Sequence, residues 1–290
     1  MSIDLLHSKI RKLKNPSVID FGIKPEYLPP HLAAEEGSDL GGYVRFCREI
    51  MLALKGFVPG VRFSFGAFAL HGPEGLTALQ TLLSEAGEMG YYVLLDSPEI
   101  LSPWSADRTA DMIFGENTYH CDALLISGYI GSDAIKPFVP YCKEGKSVFV
   151  VVRSPNRSAA ELQDLLSGSR LVHTAATETV NRFAEQLPGK SGYAQIGAAA
   201  SAGSPDSLRN LRLKYNRLFL LVDGLDYPSG NAKNCSNAFD RFGYGAAVCA
   251  GPSVTAAWRD ADSDGCDYVE QAVQAAERMK KNLTRYITIL

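Results

Sequence analysis

The chain has 290 residues, 46% of them hydrophobic and 21% charged, with a formal net charge of −3. That suffices for one large core, and α/β barrels use about 250 residues as a single domain. The slight acidity excludes nucleic acid and anionic membrane as general partners, and no apolar run approaches the ~20 residues of a membrane span.

The N-terminus, MSIDLLHSKIRKLK, lacks the apolar core of a signal peptide and reads as a solvated helix face, so a cytoplasmic protein is expected. Apolar, β-rich runs then recur at Val18–Phe21, Val61–Phe65, Tyr91–Leu95, Ala123–Ile126, Val148–Val152, Gln195–Ala199, Leu218–Val222 and Ala246–Ala250. Between them, Tyr43–Leu54, Pro73–Met89, Ser132–Cys142, Ser158–Leu166, Thr177–Gln186 and Ser207–Leu213 suit helices. In the second of these, Leu76, Leu79, Leu82 and Leu83 fall at helical spacing, with Pro73 in the first turn and Gly90 just past the end. Strands alternating with helices predict a parallel sheet. Eight such units predict an α/β fold of the (β/α)8 TIM barrel type, with an open doubly wound sheet as the alternative. After a turn-rich break at ADSDG (261–265), Asp267–Ile289 reads as an extra C-terminal helix with Val269, Ala272, Val273, Ala276 and Met279 on one face. The expected organisation is a single domain over 1–290, with 261–290 packed on the outside.

The stretch Tyr91–Gly115 decides the functional reading. It runs as a buried strand to an acid, Asp96, where parallel α/β folds place their chemistry, then enters a proline-interrupted loop. Asp96 reads equally as a ligand contact or as a cap on the following turn. Arg62 and Lys24 read either as an anion site or as an internal ion pair with Asp96. His71, His120 and His173 are scattered and Cys249 reads as core. The six cysteines show no CxxC pair and no metal-ligand spacing, so reduced, buried thiols and no metal are expected. Trp104 reads as an interface anchor or as lid and surface packing.

Five landmarks, in order, resemble the orotidine 5′-phosphate decarboxylase family in its bacterial subfamily. FGIKPEYLP (21–29) is similar to its G-L-D-P strand exit, AFALHGPEG (67–75) to its second-strand exit, and CDALLISGYIGSDAIKPF (121–138) to its D-A-x-T-x-x-P-Y-x-G-x-D-x-x-x-P-F. VFVVVRSPN (148–156) is similar to its strand ending in T-S-N, and LLVDGLDYPSG (220–230) to its P-G-x-G-x-Q-G-G. The resemblance implies a (β/α)8 barrel without metal or organic cofactor, a homodimer, and a nucleotide or other small anionic ligand at the barrel mouth. The implied reaction converts orotidine monophosphate to uridine monophosphate and carbon dioxide, by a Lys-Asp-Lys-Asp array of fixed charges in a dry site.

Carried over residue by residue, that array is mostly missing. The first lysine falls on Arg62, the first aspartate on Asp96, the proton-donating lysine on Pro98, and the last aspartate on Leu101 or Ser105. The aspartate of G-L-D-P becomes Lys24 and the threonine of D-A-x-T becomes Leu125. In the phosphate-gripping turn a glycine becomes Asp226 and the glutamine Pro228, and no arginine stands at Ala250–Pro252. Catalytic remnants are therefore expected at Arg62 and Asp96, and substrate-binding positions at Lys24, Arg153, Asn156 and Gly224. Asp107 or Asp111 would have to supply the missing acid. Two further readings stay open: a non-catalytic or regulatory protein paired with an intact paralogue, and an enzyme with new chemistry around Asp96, Lys24 and Arg62.

Overall fold

Each of the eight apolar runs is a parallel strand in the computed structural model: β1 (Ser17–Phe21), β2 (Gly60–Ser64), β3 (Tyr92–Asp96), β4 (Ala123–Ser127), β5 (Ser147–Arg153), β6 (Ile196–Ser201), β7 (Leu220–Asp223) and β8 (Ala246–Ala250). They pair in sequence order, and β8 returns to β1 with Val18 opposite Cys249, closing a barrel. The structure describes residues 1–22, 24–115, 119–261 and 263–290; Ile23, within FGIKPEYLP, and Asp262, within ADSDG, lie outside them.

Side chains alternate across a strand, so register decides which enter the barrel. Asp20 pairs with Arg62 and Ser64 with Asp96, which sets these residues on one face at the carboxyl ends of β1 to β3. Lower in the barrel, Phe149 and Phe219 meet edge to face at 6.2 Å. Small residues make room for them: a Cβ on Gly197 would come within 2.7 Å of the Phe149 ring. Phe21 and Phe63, one residue out of phase with Asp20 and Arg62, stack at 5.2 Å.

The N-terminal helix, Ser2–Leu13, closes the opposite end. Its basic face is solvated as expected, but its other face buries Ile3, Leu6 and Ile10 completely. Ser2 Oγ hydrogen-bonds Tyr92 Oη at 2.7 Å and donates to the Asp122 carbonyl at 3.0 Å. The Ile3 amide donates to Gln195 Oε1 at 3.1 Å. The C-terminal helix, Tyr268–Thr284, packs on the helix Asp39–Leu54, with Tyr268 stacked on Phe46 at 5.2 Å. It ends earlier than expected, and Ile287 and Ile289, in the irregular chain beyond it, are buried.

Two expected helices are broken. Ser132–Cys142 is split into the 3₁₀ turns Gly131–Ala134 and Lys136–Phe138 and the short helix Val139–Lys143. Pro137 and Pro140 supply no N–H to a continuous ladder. Ser158–Leu166 is helical only over Arg157–Gln163 and passes into a hairpin, Leu166–Ser167 with Arg170–Leu171. There the Gln163 and Asp164 side chains are drawn back to Ser154 and Arg153. Among the described residues all six cysteines are free; five are buried and Cys266, against expectation, is exposed. No helix of the described residues is long and apolar enough to cross a membrane.

Truncating the plug tests its weight. Leu6→Ala removes a fully buried side chain and is expected to cost about 2–5 kcal/mol, read as a fall in the urea midpoint. Leu5→Ala, on the exposed face, should be near neutral.

Candidate active site

Arg62, on β2, lines the open mouth of the barrel and is 5% exposed. Burying a guanidinium this deeply requires compensating charge. Three strands supply it. Arg62 Nη2 donates to Asp20 Oδ2 of β1. Nη1 donates to Asp223 Oδ2 of β7 at 3.0 Å and Nη2 reaches Asp223 Oδ1 at 3.4 Å. Nε stands 3.5 Å from Asp96 Oδ1 of β3, too poorly aligned for a hydrogen bond, so both atoms are left without a partner. The internal ion pair with Asp96 thus exists, and Asp20 and Asp223 hold the arginine more closely.

Asp96 and Asp223 shift in opposite directions. Burial pushes Asp96 up to about 7, helped by the Asp20 and Asp223 charges and opposed by Arg62. Burial also raises Asp223, but the Arg62 charge, its hydrogen bond and the Gly224 amide outweigh this and leave the carboxyl below its ordinary value. Arg62 is held well above the ordinary arginine value: burial works against its charge and the three acids overcome that. Cys249, inside β8, is pushed well up by burial and is core rather than a nucleophile.

A cavity of about 390 Å³ opens above this cluster, lined by Asp20, Lys24, Tyr27, Arg62, Asp223, Gly224, Asp226 and Tyr227 among others. Lys24 stands at its rim, 3.9 Å from Glu26 and 6.0 Å from the Tyr27 ring, and does not pair with Asp96. Gly224 adopts φ +82°, and a Cβ there would meet Pro155 Cβ at 2.5 Å, so only glycine fits between the β5 and β7 loops. Arg153 is turned elsewhere: Nε and Nη2 grip the Asp164 carboxylate at 3.0 and 2.9 Å, and Nη1 donates to the Ser154 carbonyl at 2.8 Å. Asn156 accepts from Ser154 Oγ at 2.7 Å in the same loop. His173, buried, points Nδ1 at the Gln163 carbonyl, 3.0 Å away.

Pro98 lies on the irregular segment after β3, Leu101 is exposed, and Ser105 caps the helix Pro103–Ala110 together with Ser102. Asp107 and Asp111 both pair with Arg108 on the outer face of that helix. No cluster of His, Cys, Asp or Glu among the described residues could hold a metal ion. The residue that sequence reasoning missed is Asp20, an acid interrupting the apolar run SVIDF and lying directly opposite Arg62 in the strand register.

No family model matches the chain. Individual proteins do. Orotidine 5′-phosphate decarboxylase from Rhodopirellula baltica is 31% identical over 249 residues, spanning 81% of this chain and 82% of that protein. The enzyme of the same name from Caldicellulosiruptor bescii is 24% identical over 98% of both chains. In structure, orotidine 5′-monophosphate decarboxylase from Plasmodium berghei superposes with a TM-score of 0.78 over 98% of each chain at 13% identity, a likeness of fold.

The charge cluster predicts a pH dependence. Asp96 titrates about 7 in the folded protein against 3.8 ordinarily, so between those values the native state holds a proton the unfolded chain has released. Its contribution to stability is therefore full below pH 3.8 and lost as pH rises through about 7. Asp96→Asn is expected to raise the melting temperature over wild type at pH 8 and not at pH 4. Arg62→Met strands three carboxylates and should cost about 3–5 kcal/mol, more at pH 8 than at pH 5.

Proposed function

Because this chain belongs to the orotidine 5′-phosphate decarboxylase family, we propose that it has kept the family's barrel while its decarboxylation of orotidine monophosphate is impaired by several orders of magnitude or lost. The observation that carries this reading is the occupancy of Arg62. Loss of carbon dioxide from the orotate ring leaves a carbanion that needs a nearby free cation and a proton donor. Arg62 is engaged by Asp20, Asp96 and Asp223, and a guanidinium does not give up its proton. Pro98 carries no amine. Lys24, the other cation lining the cavity, is at its solvent-exposed rim. A small anion entering the cavity would face Asp20, Asp223 and Asp226 as well as these two cations.

The assembly reading is a homodimer in the cytoplasm joined across the mouth. It is supported by apolar side chains on the segments that follow β2 and β3: Leu70, at the end of the helix Phe65–Ala69, Leu101, and Trp104, in the first turn of the helix Pro103–Ala110, are 86%, 70% and 73% exposed. Large exposed apolar groups, where contiguous, mark interaction surfaces. A regulatory pairing with an intact paralogue would use the same surface.

Purified protein at high concentration, supplied with orotidine monophosphate, is expected to form no uridine monophosphate above background; turnover near that of ordinary family members would sink the reading. In light scattering, the wild type should have twice the 31.4 kDa of one chain, and Trp104→Glu should shift it toward monomer with its circular dichroism unchanged.

A further inference from the structure

Two backbone amides at the mouth, those of Gly251 and Ser253, donate to a carboxylate of the chain itself. Barrels of this architecture commonly hold a ligand's phosphate on backbone amides of the loops after strands seven and eight, at the start of a short extra helix. Here that helix is Pro252–Thr255, directly after β8. Asp226, from the loop after β7, places Oδ2 on the Gly251 amide at 2.6 Å and Oδ1 on the Ser253 amide at 3.2 Å. Pro252 between them has no N–H. The next two amides, of Val254 and Thr255, both donate to the Gly251 carbonyl at 2.9 and 2.8 Å. Every amide from Gly251 to Thr255 is thereby spent, two of them on a carboxylate of the chain itself.

Asp226 also stands between two spaces. It lines the cavity that holds Asp20, Arg62 and Asp223, and it lines an adjoining recess of about 490 Å³ whose walls include Tyr27, Ser253 and Arg259. Lys24 and Arg259 lie against the Tyr27 ring at 6.0 and 5.7 Å, one lining each space. Each of the two spaces that Asp226 lines therefore also has a cation in its lining, Lys24 in one and Arg259 in the other.

We propose that Asp226 is a specificity-determining residue: its carboxylate occupies the backbone-amide position that a ligand's phosphate would take, so that the mouth rejects phosphorylated ligands. This deepens the reading above, on which it rests for the barrel mouth as the ligand site. It adds a second, separate obstacle to orotidine monophosphate, at the opposite end of the substrate from the missing proton donor. An incoming phosphate must displace a charge-assisted pair of hydrogen bonds and then lie beside the displaced carboxylate.

The test is calorimetric titration of inorganic phosphate into the full-length wild type, Asp226→Gly and Asp226→Asn. The glycine variant frees both amides and restores the residue that the family resemblance places there. It is expected to bind phosphate roughly tenfold or more tighter than wild type. An Asn side chain accepts from only one of the two amides, so Asp226→Asn should gain in the same direction by less. This near-isosteric variant decides the matter if the glycine variant fails to fold by circular dichroism. Equal affinity in wild type and variants overturns the proposal, and so does absence of phosphate binding in every folded variant. The titration reads no turnover, so its outcome is separate from that of the decarboxylation assay.

Discussion

A guanidinium buried among three carboxylates sets the chemistry of the open end of this barrel. One positive charge cannot neutralise three negative ones in a medium that screens poorly. The excess is relieved by geometry and by protons: Asp20 and Asp223 take the hydrogen bonds, and Asp96, left at 3.5 Å without one, keeps its proton to about neutrality. The cluster is complete in itself. A site that catalyses by electrostatics needs fixed charges whose partners arrive with the substrate, and here the buried cation is engaged by carboxylates of the chain itself before any ligand enters.

The barrel was legible because its signal is redundant. Eight short apolar runs at βα spacing name the architecture even when single boundaries slip by a residue or two, as with Tyr91 for Tyr92 and Gln195 for Ile196. Helices were less legible where side chains compete with the backbone, as Gln163 and Asp164 do for Ser154 and Arg153, or where Pro137 and Pro140 interrupt the ladder. In the site, the position of Arg62 followed from motif alignment, but its chief partner, Asp20, did not. Asp20 lies 42 residues away in sequence and belongs to no motif; only the pairing of β1 with β2 puts it opposite the arginine. Arg153 shows the converse. A cation at a strand end reads as a ligand contact, yet Asp164, 11 residues on, claims it through two hydrogen bonds.

The barrel wall and its mouth have different tolerances. Gly197, beneath the Phe149 ring, is set by steric contact, so the wall admits little change. The mouth residues answer to charge balance, which many combinations can satisfy. Substitutions there alter what the barrel does without altering that it folds, which is why fold and function separate in this architecture. Asp226 illustrates how: a single carboxylate satisfies two amides that the turn would otherwise offer to a ligand.

The plug at the closed end has a consequence for synthesis. Chains emerge from the ribosome N-terminus first, at about 5–20 residues per second. The Ser2–Leu13 helix is therefore among the first segments made, yet its seat is assembled from Tyr92, Asp122 and Gln195. The Ile3 amide meets Gln195 across 192 residues of chain. For most of translation this amphipathic helix has its apolar face unpaired, and its seat is complete only after Gln195, which follows five of the eight strands, has left the ribosome. The nascent chain thus carries an exposed hydrophobic segment for tens of seconds at the slower rates, the interval in which holding chaperones would find it, and barrel closure is paced by synthesis rather than by the helix itself.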